Sequence, residues 1–306
     1  MRLDDYAQCA NLEEVATLAR KAVESSGGDF VFNFCLKAKF SVDLLAAPQL
    51  TDVARQAELW QETTCPQKLF FSHGQYLGSE GIKHIAEELK GKPDSNRALA
   101  SLISVKEIID SGDLPLPSFL VFQCIIEGTT LYVTAMYRAM EVADFFRINL
   151  EEIRMMTQQV YEVNRTVRDV ALCVFVTRAY LKPGMSPLEK SKLDLLSQVD
   201  LLTTHRGQLP MLLHDKRRQS TYPVSTGLRH LQEIAAKDLP SDMQIPGNGP
   251  DLQAALLKAV ADTERLQELR RQTSHHPDIA KLDLELDATL EWLATTIEKA
   301  MRGASS

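Results

Sequence analysis

The sequence predicts an α+β fold over residues 1–182 and a helical extension or subdomain over 183–306. Three observations carry this. Segments with helical spacing alternate with short aromatic and β-branched runs as far as Tyr180, Glu127-Gly128 gives a hairpin signal between two apolar runs, and beyond Pro187 only helical spacing remains.

Between Asn11 and Ser25 the apolar residues Leu12, Val15, Leu18, Ala19 and Val23 recur at helical spacing, and Asn11 with Glu14 suits a capping box. Gly27-Gly28 ends that helix, and Phe30 to Phe34 reads as a buried strand. Leu50 to Trp60 fits either a short strand or a short helix. From Ser79 a second helix is expected, with Ile82, Ile85, Ala86 and Leu89 on one face and Gly91-Lys92-Pro93 as its stop. Ala98 to Val105 is β-like. Phe119 to Ile126 and Leu131 to Tyr137 form the expected hairpin. Leu150 to Val167 has helical spacing, and Val170 to Val176 is a very apolar strand. After Pro187, breaks fall at Ser220 to Pro223 and Leu239 to Pro250, and Leu252 to Gln272 with Asp278 to Met301 suggest a helical hairpin.

With 306 residues, 44% hydrophobic and 25% charged, the chain has a globular composition. Its net charge of -7 gives no basic field for bulk nucleic-acid binding. The five cysteines, Cys9, Cys35, Cys65, Cys124 and Cys173, are scattered and suggest neither a disulfide framework nor a zinc site. No basic segment leads into an apolar one at the N-terminus and no apolar run reaches the roughly 20 residues of a bilayer span, so a soluble, cytoplasmic protein without a membrane partner is expected. His275-His276 lacks partners at metal spacing and reads as solvated loop. Lys216-Arg217-Arg218 reads as a solvated helix end. No Walker or dinucleotide glycine motif is present, and the sequence names no cofactor.

The most informative segment runs from Pro117 to Asn149. It carries Pro117-Ser118-Phe119, Gln123, Glu127-Gly128, Tyr137-Arg138-Ala139, Glu141 and Asn149 at fixed separations. This run resembles the thymidylate synthase family, whose pattern is Pro-Cys-His and Gln on one strand, Gln-Arg-Ser-x-Asp on the next, and Phe-Asn just after. The similarity extends from about Gly81 to Arg178-Ala-Tyr180, about a third of the chain.

The resemblance implies a thymidylate synthase-like fold, a homodimer formed through the sheet, and a nucleotide-like small molecule as ligand. Arg138 and Arg97 occupy phosphate-arginine positions, Arg97 reaching across from the other subunit. Two guanidinium forks can neutralise a phosphate dianion, although ordinary ion pairing is the alternative for both. Asn149 corresponds to the asparagine that reads the pyrimidine edge. It equally suits the N-cap of a helix from Leu150, with Glu152 completing a capping box. Tyr180 matches a sugar-contacting tyrosine, Gln123 is retained, and Arg178 replaces a histidine; with Glu141, these complete the ligand-binding set that the resemblance implies.

Ser118 stands where the family has its nucleophilic cysteine. A thiol ionises near pH 8.5, whereas a serine hydroxyl needs a base within hydrogen-bond reach, and the neighbouring histidine position is Phe119. Strict strand alternation places Cys124 on the face of Ser118 but about 20 Å away, so it is a poor substitute and reads as a core cysteine. Glu141 and Ala139 replace the aspartate and serine of the second motif, Phe145 replaces a small glycine, and no folate-closing C-terminus is found. The expectation is a divergent, pyrimidine-nucleotide-binding relative without standard methyltransferase activity. The alternative is a catalytically dead scaffold whose C-terminal helices bind a partner protein.

Overall fold

The computed structural model describes residues 5–28, 30–110, 115–182, 189–217, 223–240, 243–272 and 276–303. Pro187, Arg218, Ser220 to Tyr222, His275 and Ala304 to Ser306, which the sequence reading used, lie outside them. The chain divides into two compact units, Met1–Pro66 with Phe71–Met185, and Gln67–Phe70 with Ser186–Ser306.

The first unit is mixed α and β. In order it contains β1 (Ala7–Gln8), α1 (Leu12–Glu24), β2 (Phe30–Ser41), α2 (Ala54–Gln61), α3 (His73–Leu77), α4 (Gly81–Gly91), β3 (Leu99–Ser101), α5 (Val105–Asp110), β4 (Phe119–Glu127), β5 (Thr130–Glu141), α6 (Phe145–Val163) and β6 (Asp169–Tyr180). Among the described residues the strands form one six-stranded sheet in the order β1-β2-β6-β5-β4-β3. β4 and β5 are an antiparallel hairpin in which Glu127 opposes Thr130 across Gly128-Thr129, with Gly128 at φ 59°. β5 and β6 are parallel neighbours, which requires a crossover, and α6 supplies it. The buried face of α6, Phe146, Leu150, Ile153, Met156 and Val160, joins one core with Val133 and Ala135 of β5 and Leu172 and Val174 of β6. The spacing of three to four residues on the helix and two on the strands is what lets both present a single apolar face.

Several boundaries differ from the sequence expectation for identifiable reasons. The undecided stretch before Trp60 is helix α2, burying Ala57 and Trp60 three residues apart. The β-like stretch from Ala98 stops at Ser101, because Ser104 and Glu107 exchange side-chain to backbone hydrogen bonds as a capping box and start α5. At α1, Glu14 N–H donates to Asn11 Oδ1 at 2.9 Å, and the returning bond runs from Ala10 N–H to the Glu14 carboxylate at 2.7 Å.

The second unit contains α7 (Lys192–Leu195), α8 (Gln198–Leu202), α9 (Leu209–Arg217), α10 (Thr226–Ala235), α11 (Pro250–Gln272) and α12 (Asp278–Gly303), with a leucine-rich core. The segment Gln67–Phe70 belongs here: Leu69 bridges to Glu189, and Lys190 N–H donates to the Lys68 carbonyl at 2.7 Å. The expected solvated end at Lys216-Arg217 is corrected. Lys216 is buried with its ammonium 2.5 Å from Asp194, whose carboxylate also accepts from Ser191 Oγ and Gly227 N–H. Arg217 holds Asp287 and Glu291 of α12. Among the described residues no helix is long and apolar enough to cross a membrane.

Candidate functional site

The hairpin brings Ser118 and Arg138 together, since Arg138 N–H donates to the Ser118 carbonyl at 2.8 Å. The Arg138 side chain bends back along the approach to β4, donating from Nη2 to Leu116 O at 3.0 Å and Pro117 O at 2.9 Å, and from Nε to Pro117 O at 3.2 Å. Among the described residues no carboxylate pairs with it. Burial pushes the Arg138 guanidinium below its ordinary range. Arg147 and Arg154 of the same unit, by contrast, both close on carboxylates.

Arg97 is exposed and likewise has no carboxylate partner among the described residues. It does not meet Arg138 within one chain. Leu99 opposes Gln123, which opposes Thr134, four residues short of Arg138, so strand rise and spacing hold the two arginines roughly 20 Å apart. Gln123 is half-buried on the sheet face shared by Val121 and Ile125, opposite the core face of Phe122 and Cys124.

Tyr180 opposes Glu141 on the neighbouring strand and packs edge-on against Phe30 at 6.1 Å. Burial, then the Glu141 charge, pushes the Tyr180 hydroxyl above its usual range. The Arg178 guanidinium lies 5.1 Å over the Phe30 ring. Glu141, expected to face a ligand, acts instead as a cap. Its buried carboxylate accepts from the backbone N–H groups of Ala143, Asp144, Phe145 and Lys182 at 2.7–3.2 Å, which fills the roughly four lone-pair sites of a carboxylate.

That cap starts α6 at Phe145, five residues before Leu150, with Asp144 at the N-cap position. Asn149 therefore lies in the second turn, and its alternative role as an N-cap with Glu152 is corrected. Its amide is 9% exposed and makes no hydrogen bond among the described residues. The placement of Cys124 is also corrected: a bulge between Phe119 and Val121 breaks the alternation, so Cys124 shares the core face with Phe119 and Phe122. Burial raises its thiol well above the usual range.

Around the buried Phe119 ring the core holds a polar cluster that no sequence motif indicated. Buried His73 places Nδ1 at 2.8 and 3.0 Å from the two carboxylate oxygens of Glu152 on α6, and Gln61 Nε2 donates to the same carboxylate at 2.8 Å. Aromatic rings enclose it: Trp60 at 4.8 Å and Phe119 at 5.4 Å from the His73 ring, and Tyr137 stacked on Phe119 at 4.6 Å. Tyr137 Oη and Trp60 Nε1 are buried without a hydrogen-bond partner among the described residues, and burial, then the Glu152 charge, drives the Tyr137 hydroxyl far up. Unsatisfied buried donors beside a carboxylate suit a guest water or polar atom. The signal available in sequence was Ser72-His73-Gly74-Gln75, a capping box that fixes His73 at the first position of α3. Its partner Glu152 lies 79 residues on.

Among the described residues no group of three or more metal-binding side chains assembles. His276 Nδ1 accepts from Asp278 N–H at 3.2 Å and lies 3.7 Å from the Asp278 carboxylate. No model of a known protein family matches the chain, and no curated protein matches it.

Proposed function

We propose that the first unit binds a pyrimidine nucleotide or a related phosphate ligand at the Ser118–Arg138 end of the β4–β5 hairpin, without the covalent thiol chemistry of the thymidylate synthases it resembles. The observation that carries this is the unneutralised Arg138. An exposed guanidinium whose recorded side-chain partners are carbonyls gains from an anion, and the N–H groups not spent on Leu116 and Pro117 are available to a phosphate oxygen. Arg97 joins the site from a second copy of the chain in a homodimer.

Thermal shift with a panel of nucleoside monophosphates tests the proposal. Binding stabilises the fold by about 2.7 kcal/mol at a hundredfold excess over Kd, so the melting temperature rises with ligand concentration. Arg138→Ala removes that dependence, and Arg97→Ala weakens it only if the chain dimerises in sedimentation. Absence of any shift, with Arg138→Ala indistinguishable from wild type, refutes it. Tritium release from carbon five of dUMP with a methylene donor is absent, because Ser118 has no hydrogen bond to a base among the described residues. Detectable release refutes the non-covalent assignment.

A second reading, a scaffold whose helical unit binds a partner protein, is favoured by Val199, Met211, Leu257, Leu284 and Trp292, large apolar residues exposed on that unit. The same panel separates the two, since the scaffold requires no nucleotide-dependent shift.

A further inference from the structure

We propose that Cys35 and Cys173 form a reversible oxidation site, which a hydroperoxide converts to a disulfide joining β2 to β6. The two strands pair antiparallel, Cys35 opposing Phe175 and Cys173 opposing Lys37, so the cysteines are diagonal neighbours on one face of the sheet. Their sulfurs are 3.8 Å apart across 138 residues of sequence, and both are free thiols. Disulfide formation needs an S–S separation of about 2.05 Å. The sulfurs must therefore close a gap of less than about 2 Å, and because diagonal cross-strand residues stand roughly 7–8 Å apart while disulfides usually span less than about 7 Å, closure draws β2 and β6 together as well as turning χ1.

The two thiols are unequal in the way stepwise oxidation requires. Cys35 is exposed, whereas Cys173 is half-buried, and burial, then the adjacent Cys35, pushes the Cys173 thiol up to about 11. Cys35 is thus the sulfur that meets the oxidant. Its thiolate displaces hydroxide from the peroxide O–O bond, giving a sulfenic acid, and the hydroxide takes up a proton to leave as water. The Cys173 sulfur then attacks the Cys35 sulfur, the S–OH bond breaks, and the departing hydroxide takes the Cys173 proton as a second water. Overall two thiols lose two electrons and two protons, and one peroxide is reduced to two waters. Among the other cysteines, Cys9 and Cys124 are buried, and the thiol of half-buried Cys65 donates to the Pro66 carbonyl.

The experiment treats the full chain with stoichiometric hydrogen peroxide, then measures free thiols and maps peptides without reduction. Free thiols fall from five to three, intact mass falls by two hydrogens, a single linked peptide joins Cys35 to Cys173, and dithiothreitol reverses all three. Cys173→Ser leaves Cys35 to gain oxygen instead of a cross-link, and Cys35→Ser slows thiol loss to the rate of the remaining cysteines. Persistence of all five thiols under peroxide that oxidises a free cysteine peptide overturns the proposal. So does a linked peptide between other cysteines, or over-oxidation of Cys35 in wild type with Cys173 still reduced.

Discussion

Replacing Glu152 by alanine removes the acceptor of buried His73 Nδ1 and of half-buried Gln61 Nε2. Each stranded donor costs about 1–3 kcal/mol, so Glu152→Ala is expected to lose about 4 kcal/mol of unfolding free energy. His73→Ala is expected to lose a similar amount, about 3–5 kcal/mol, because it leaves a fully buried carboxylate with Gln61 as its remaining partner. The double variant removes both sides of the contact together and loses less than the sum, with a coupling of about 2 kcal/mol. Urea unfolding followed by Trp60 fluorescence reads this directly, since the indole sits 4.8 Å from the His73 ring. A Trp292→Phe background silences the half-exposed indole of the second unit. Single losses below about 1 kcal/mol, or singles that add within about 0.5 kcal/mol, refute the assignment of this pair as the polar anchor of the core.

Tyr137→Phe deletes a buried hydroxyl that has no partner among the described residues and keeps the ring stacked on Phe119. Stability is expected to rise by about 1 kcal/mol in urea unfolding, and a fall instead reveals a bound guest using that hydroxyl. Glu141→Ala leaves four backbone N–H groups without an acceptor and is expected to cost about 3 kcal/mol, with earlier amide exchange in the first turn of α6. In the second unit, the Arg217 hydrogen bond holds the Asp287 carboxyl below its usual range. A depressed carboxylate pKa stabilises the fold above its unfolded value of about 3.9 and loses that contribution as pH falls through the folded value. The stability difference between wild type and Asp287→Asn, under about 1 kcal/mol because the pair is partly solvated, is therefore expected at pH 6 and absent at pH 2, read by circular dichroism melts.

How much of this was legible beforehand depended on the distance over which a residue's partner lies. The turn at Gly128 pairs Glu127 with Thr130. Counting outward from it places Ser118 opposite Arg138 to within the one residue that the bulge adds, so the centre of the candidate site follows from hairpin arithmetic. The capping role of Asn11 is equally local. Asn149 misled because helix caps look alike in sequence, and a carboxylate four residues before the helix captured the first amides instead. Lys216 misled because a basic run resembles a solvated end until Asp194 and the core around it are in place.

The sequence by itself determined the alternation of helices and strands in the first unit, the helical character of the second, and the opposition of serine to arginine across the hairpin, all of which rest on periodicities and turns a few residues long. Only the tertiary structure decided that His73 meets Glu152, that Cys35 lies beside Cys173, and that Gln67–Phe70 packs with the second unit. Those contacts arise when sheet order and helix crossover bring distant segments into register, and the free energy that selects them is burial shared by many residues at once, which no local pattern encodes.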